Sequence, residues 1–203
     1  IRLLEEGGMA FDLDYLLSIS KTELQGQLEV TDTTLSDVRT FVLERLRNHL
    51  LDGGATTGQV NAVLAAPLAG LPDLRQRISA VQEFMQQEEA VSLVAANKRI
   101  ANILKKPEET VSEEIDINLM QLAEEKTLFA VVNDIKNIVT PLFQSGDYTR
   151  ALSNLASLRE PVDAYFDSVM VMDEDHAVRR NRLAQLAAVK QLFDQVADFS
   201  QAD

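Results

Sequence analysis

"DEDHAVRRNRLAQLAAVKQLFDQVADFS", residues 173–200, is the stretch on which the reading of the fold turns. Three acids stand ahead of a run whose apolar residues recur at helical spacing, so Asp173 to Asp175 are placed to cap a final helix reaching about Phe199. The "VMVM" before it, residues 169–172, reads as core filling, Met170 and Met172 included. The new helix opens with Arg179, Arg180 and Arg182, on a chain of 203 residues with a formal net charge of -13. A basic cluster against that background calls for a local explanation.

The same signals recur upstream. In "TDTTLSDVRTFVLERLRNHLLDGG", Asp32 to Thr34 offer capping oxygens, and Leu35, Val38, Val42, Leu46 and Leu50 repeat at helical spacing before Gly53. "TTGQVNAVLAAPL" reads as a short capped helix stopped near Pro67, and "LPDLRQRISAVQEFMQQ" as another starting around Pro72. "EEAVSLVAANKRIANILKKP" predicts a helix with Val91, Val94, Ala95, Ile100, Ile103 and Leu104 on its apolar side. "PEETVSEEI", residues 107–115, reads as an acidic loop, followed by a long helix from about Asp116 to Leu142. "SGDY" then turns the chain, Asp147 caps the next helix, and Pro161 fits the first turn of "PVDAYFDSVMVM". The opening "DLDYLL" suggests one more short helix. With no strand alternation anywhere and short links favouring antiparallel neighbours, the fold class is all-α, an antiparallel helical bundle.

Composition narrows the function classes. Hydrophobic residues at 46%, charged residues at 25%, 8 Gly and 5 Pro describe a folded, helix-rich chain. The absence of Cys removes disulfides, thiolate metal sites and cysteine nucleophiles, and suits a reducing, cytoplasmic setting. The apolar runs fall short of the roughly 20 residues a membrane span needs, and nothing at the start resembles a secretory signal. His49 and His176 lack the converging ligands of a metal site, and neither HExxH nor a phosphate-cradling glycine loop occurs. No enzyme active site is expected in this chain, and no cofactor.

Two basic constellations remain. Lys98, Arg99, Asn102, Lys105 and Lys106 share or border one face of their helix, and Arg179 and Arg182, three apart, can project together. Spacing alone fits either a solvated face paired with nearby acids or recognition of RNA, where Arg grips phosphate or stacks on a splayed base.

The order of the pieces adds to this. "LVAANKRIANILKKP", "EKTLFAVVNDIKNIV", "YTRALSNLASLREPVDAYFDSVMVM" and the closing stretch quoted above resemble, in sequence, the C-terminal region of bacterial glycyl-tRNA synthetase β subunits. Residues 87–203 resemble the helical anticodon-binding domain named for an Asp-Ala-Leu-Arg signature, present here as "DHAVR" at Asp175 to Arg179. The resemblance implies two packed helical parts: residues 1–86, bracing the domain or touching the tRNA body, and the anticodon-binding domain at 87–203. It covers essentially the whole chain, so Ile1 is expected to be the edge of a segment cut from a longer subunit. It further implies glycine tRNA as partner, with the α subunit of an α2β2 heterotetramer carrying the ATP, magnesium and glycine sites. Lys98, Arg99, Asn102, Arg179 and Arg182 are the tRNA-facing candidates that it indicates, with Arg180, Asn97 and Asn181 behind them. A helical protein-interaction scaffold, suggested by "GDYTRALSNLASL", is the alternative.

Overall fold

The computed structural model describes residues 13–24, 26–28, 31–66, 73–105 and 114–202. Every regular element among them is helical: α1 (Leu13–Leu24), α2 (Asp32–Asp52), α3 (Thr57–Ala65), α4 (Asp73–Phe84), α5 (Glu88–Leu104), α6 (Ala123–Gln144), α7 (Tyr148–Leu155), α8 (Arg159–Ser168) and α9 (His176–Asp194). Short 3-10 turns at Ile117–Leu119, Ala156–Leu158 and Phe199–Gln201 complete the order. The all-α expectation holds. Most of the loop expected at 107–115 lies outside the described residues.

Local chemistry sets most of the helix starts. Thr31 caps α2 by accepting from the Thr34 N–H at 3.1 Å, and Thr56 does the same for α3 from Gln59 at 3.2 Å. In each case the third helical residue reaches back to the cap, so two otherwise orphaned donors are satisfied at once. Asp147 caps α7, and Asp175 caps α9 through the Ala177 and Val178 amides. Between α6 and α7 the chain reverses at Gly146, whose φ of 73° is a conformation that a side chain would disfavour.

The core is one continuous cluster running from Leu46 to Ala202. Residues on both sides of the boundary expected at 86 contribute to it. α4 packs along α7, and α3 packs on the final 3-10 turn. Phe199 meets Phe84 and Phe193 edge to face, at 5.2 Å and 5.7 Å. The Asp198 N–H donates to Ala62 at 2.8 Å, while Arg77 pairs with Asp73, reaches the Val196 carbonyl and lies over the Tyr148 ring. These contacts fold the C-terminus back onto α3 and α4.

Four expectations shift. The stripe on α2 is buried only at Leu46 and Leu50; Val38 is exposed, as is Phe41, and α1, which packs on α2, has no buried residue. Val91 is exposed on α5. The long helix starts at Ala123 rather than Asp116, since Asp116 caps the 3-10 turn instead. Val169 leaves α8 in an extended conformation, so Val169 and Val171 turn inward while Met170 and Met172 face solvent, contrary to the core role expected for the methionines.

Phe199 is 1% exposed at the joint between the C-terminus and α4. Phe199→Ala is expected to destabilise the fold by about 3–5 kcal/mol, read from the midpoint of denaturant unfolding at unchanged slope. A change within 0.5 kcal/mol would mean that the terminal turn does not belong to the cooperative core.

Candidate nucleic-acid interface

α5 and α9 carry the candidate residues and pack on each other, yet they present them to different neighbours. On α5, Lys98 is half-buried, and Arg99 and Asn102 are exposed. The Arg99 guanidinium lies 4.0 Å from the centre of the Phe166 ring on α8, which fixes one of its faces against an aromatic surface. Its N–H edges make no hydrogen bond to any described residue. A second link, from the Ser92 hydroxyl to Asp163 at 2.9 Å, holds α8 beside α5. Asn97, one residue before Lys98, is only 2% exposed and donates to the Leu93 carbonyl at 3.0 Å, which sets it inside the helix joint.

At the start of α9 the three arginines separate. Arg179 is half-buried and reaches the Asp173 carbonyl at 3.0 Å and His176 Nδ1 at 2.6 Å. Arginine has only donors, so that imidazole nitrogen accepts. Arg180 is exposed.

Arg182 corrects the expectation most sharply, because it is 3% exposed and turned inward. Nε donates to Glu125 Oε1 at 3.0 Å, and Nη2 to Glu125 Oε2 at 3.4 Å and Gln121 Oε1 at 3.3 Å. Nη1 donates to Asp173 Oδ2 at 2.7 Å and to the Met170 carbonyl at 3.0 Å. A guanidinium has five N–H donors, and all five are taken. No edge is left for a phosphate. The signal was present in the sequence: Arg182 lies four residues after Val178 and four before Leu186, in line with the buried stripe of α9.

The arrangement around Arg182 joins three segments. Glu125, fully buried, also accepts the Gln121 and Leu122 amides at 3.0 and 2.9 Å, which anchors the N-terminus of α6. Asn181 takes the Asp116 N–H at 2.7 Å and donates to its carbonyl at 3.0 Å, so it clamps the approach to α6 rather than facing RNA. The Tyr165 hydroxyl donates to the Arg182 carbonyl at 3.4 Å; burial, reinforced by the Glu125 charge, raises its pKa. Burial opposes the charge on Arg182, but the hydrogen bonds and charges of Glu125 and Asp173 outweigh it and raise its pKa. The Asp175 N–H, followed by Arg182, holds the Asp173 carboxyl below its usual pKa.

Among the described residues, no group of three or more His, Cys, Asp or Glu is placed to hold a metal ion, and no helix is long and apolar enough to cross a membrane. What the arrangement offers is an exposed, stacked Arg99, an exposed Arg180 and a rigid base beneath them.

Residues 93–199 match the family model described as the DALR anticodon binding domain. The chain is 42% identical over 200 residues to the glycine–tRNA ligase β subunit of Methylobacillus flagellatus, covering 98% of this chain and 28% of that protein. It is 41% identical over 201 residues to the β subunit of Chromohalobacter salexigens, covering 99% and 29%. Against that of Vibrio parahaemolyticus it is 42% identical over 200 residues, covering 98% and 29%. The chain thus spans under a third of the length of these relatives.

Arg182→Met strands the buried Glu125 charge, and the expected loss of stability is about 3–5 kcal/mol. Adding Glu125→Gln, which keeps an acceptor for the two backbone amides, is expected to restore part of that loss; an additive double variant would refute the coupling. Because the folded pKa of Asp173 lies below its unfolded value near about 3.9, its contribution is present above that pH and is lost as the pH falls through the folded pKa. Asp173→Asn should therefore flatten the loss of stability below about pH 4, measured by unfolding across pH.

Proposed function

Because the chain belongs to the DALR anticodon binding domain family, we propose that it is the tRNA-binding segment of a glycine–tRNA ligase β subunit. It grips the anticodon arm of glycine tRNA and orients that tRNA for ATP-dependent glycylation on the α subunit of an α2β2 enzyme in the cytoplasm. ATP, magnesium and glycine belong to the α subunit in this reading. The observation that carries it is the anticodon-binding match over residues 93–199, which contains the Arg99–Phe166 pair and the start of α9.

The physical case rests on preorganisation. Anticodon-loop bases are unpaired, so their faces and edges are open to side chains as those of duplex RNA are not. Arg99, already held over Phe166, loses little freedom when a base stacks on it or a phosphate meets its N–H edge. Arg180 and Lys98 supply positive charge for phosphates, and Asn102 a donor and an acceptor for a base. Arg179 is tied to the 173–176 turn and steadies the start of α9. Arg182 serves this surface indirectly, by fixing the angle at which α9 leaves the turn. The segment's contribution to the reaction is then placement of the tRNA, not proton transfer.

The complete ligase carrying Arg99→Ala or Arg180→Ala, titrated with glycine tRNA across salt, is expected to bind more weakly. The slope of log affinity against log salt should flatten by roughly 0.7–0.9 per lost phosphate contact. Folded variants with unchanged affinity and slope would remove these residues from the interface. A wild-type enzyme that did not distinguish glycine tRNA from one with a changed anticodon would favour a scaffold role.

A further inference from the structure

α6 and α9 part to leave a cavity of about 540 Å³, within the roughly 300–1,000 Å³ common for ligand pockets. Phe129 and Phe143, both half-buried, stand on its α6 side, with Asn133 and the exposed Lys136 nearer solvent. Lys136 is the only charged residue among the described ones lining it, notable in a chain of net charge -13. On the α9 side lies Gln185, 2% exposed, with neither its Oε1 nor its Nε2 hydrogen-bonded. Leaving both ends of an amide dry and unpaired costs stability, and nearly all buried polar groups avoid it. The side chain lines the cavity, and rotation about its terminal bonds turns the amide toward a ligand.

We propose that this cavity receives one unpaired nucleobase of the bound tRNA, whose edge pairs with the Gln185 amide while its phosphate lies against Lys136. The proposal rests on the tRNA-binding reading above. An amide presents one donor and one acceptor side by side, and an adenine edge presents the complementary pair in N6–H and N7; this is the bidentate geometry by which Gln reads a base. The two phenylalanines offer the apolar and aromatic walls on which an extruded base is held. A carboxylate or phosphate ligand would call for more than one cation, and an apolar peptide would leave the amide unpaired.

The test uses the complete ligase and fluorescence titration with glycine tRNA. Gln185→Met keeps the side-chain length and removes the amide. It is expected to weaken tRNA binding about 5- to 150-fold, while the melting temperature stays level or rises because an unpaired polar group has gone. Single-base changes around the anticodon loop should reveal one position whose discrimination disappears in Gln185→Met and persists elsewhere. Lys136→Gln, at an exposed position that the fold does not need, should flatten the salt slope by about 0.7. If wild-type enzyme binds tRNA but neither variant changes affinity, slope or discrimination, the base pocket is wrong and the tRNA reading survives. A drop in melting temperature for Gln185→Met with undiminished affinity would mark the glutamine as structural and also overturn the proposal. A wild-type enzyme without affinity for tRNA through this segment would end both.

Discussion

The buried pair of Arg182 and Glu125 is the constraint around which the C-terminal half is arranged. Removing two charges from water is expensive, and their attraction offsets the cost only when the remaining donors and acceptors are also satisfied. Here they are: every arginine N–H has an acceptor, and Glu125 accepts two backbone amides as well as the guanidinium. The pair does more than hold two side chains together. It ties the N-terminus of α6 and the turn after α8 to the second turn of α9, and any slip of one against another would expose an uncompensated charge. Such a joint fixes register, which apolar packing alone specifies less sharply.

That joint also explains which parts of the fold could be read from sequence. Thr56, Asp147 and Asp175 act as caps on amides two or three residues away, so the information that places them is local. The inward turn of Arg182 depends on Glu125, fifty-seven residues away in sequence. Spacing puts Arg179 and Arg182 near one face, but only the position of α6 decides which edge of that face is covered. The i, i+4, i+8 line through Val178, Arg182 and Leu186 is a usable hint, and it is the residue type, a charged arginine, that masks it. Asn181 was ambiguous for the same reason: its partner, the Asp116 backbone, has no side-chain signature. Met170 and Met172 follow Ser168, where the helix gives way to a stretch with a period of two, so helical spacing does not apply to them.

The acidity of the chain is partly internal structure. Asp173 and Glu125 hold Arg182, Asp73 holds Arg77, and Asp194 with Asp198 holds Lys190 where α9 ends. Burial raises the pKa of Asp194, whereas the Ser200 hydrogen bonds and Lys190 lower that of Asp198 despite burial, so neighbouring carboxylates on one lysine are tuned in opposite directions. Cations held in this way are structural, and they leave the basic surface to residues such as Arg99 and Arg180. Net charge therefore says little about where an anion docks; the identity of the cations left unpaired says more.

Hydrogen-bond satisfaction, rather than burial, is what separates the two polar residues of α9 lodged against α6. Arg182 and Gln185 are three apart, both almost wholly buried and both lodged against α6. The arginine has no donor left over, which is the condition for a polar group to stabilise a fold; the glutamine has no partner at all, which is a cost to the same fold. On the proposed reading the two belong together: the saturated arginine holds α6 and α9 at the separation that keeps the cavity open, and the unsaturated glutamine gives that cavity something to recognise.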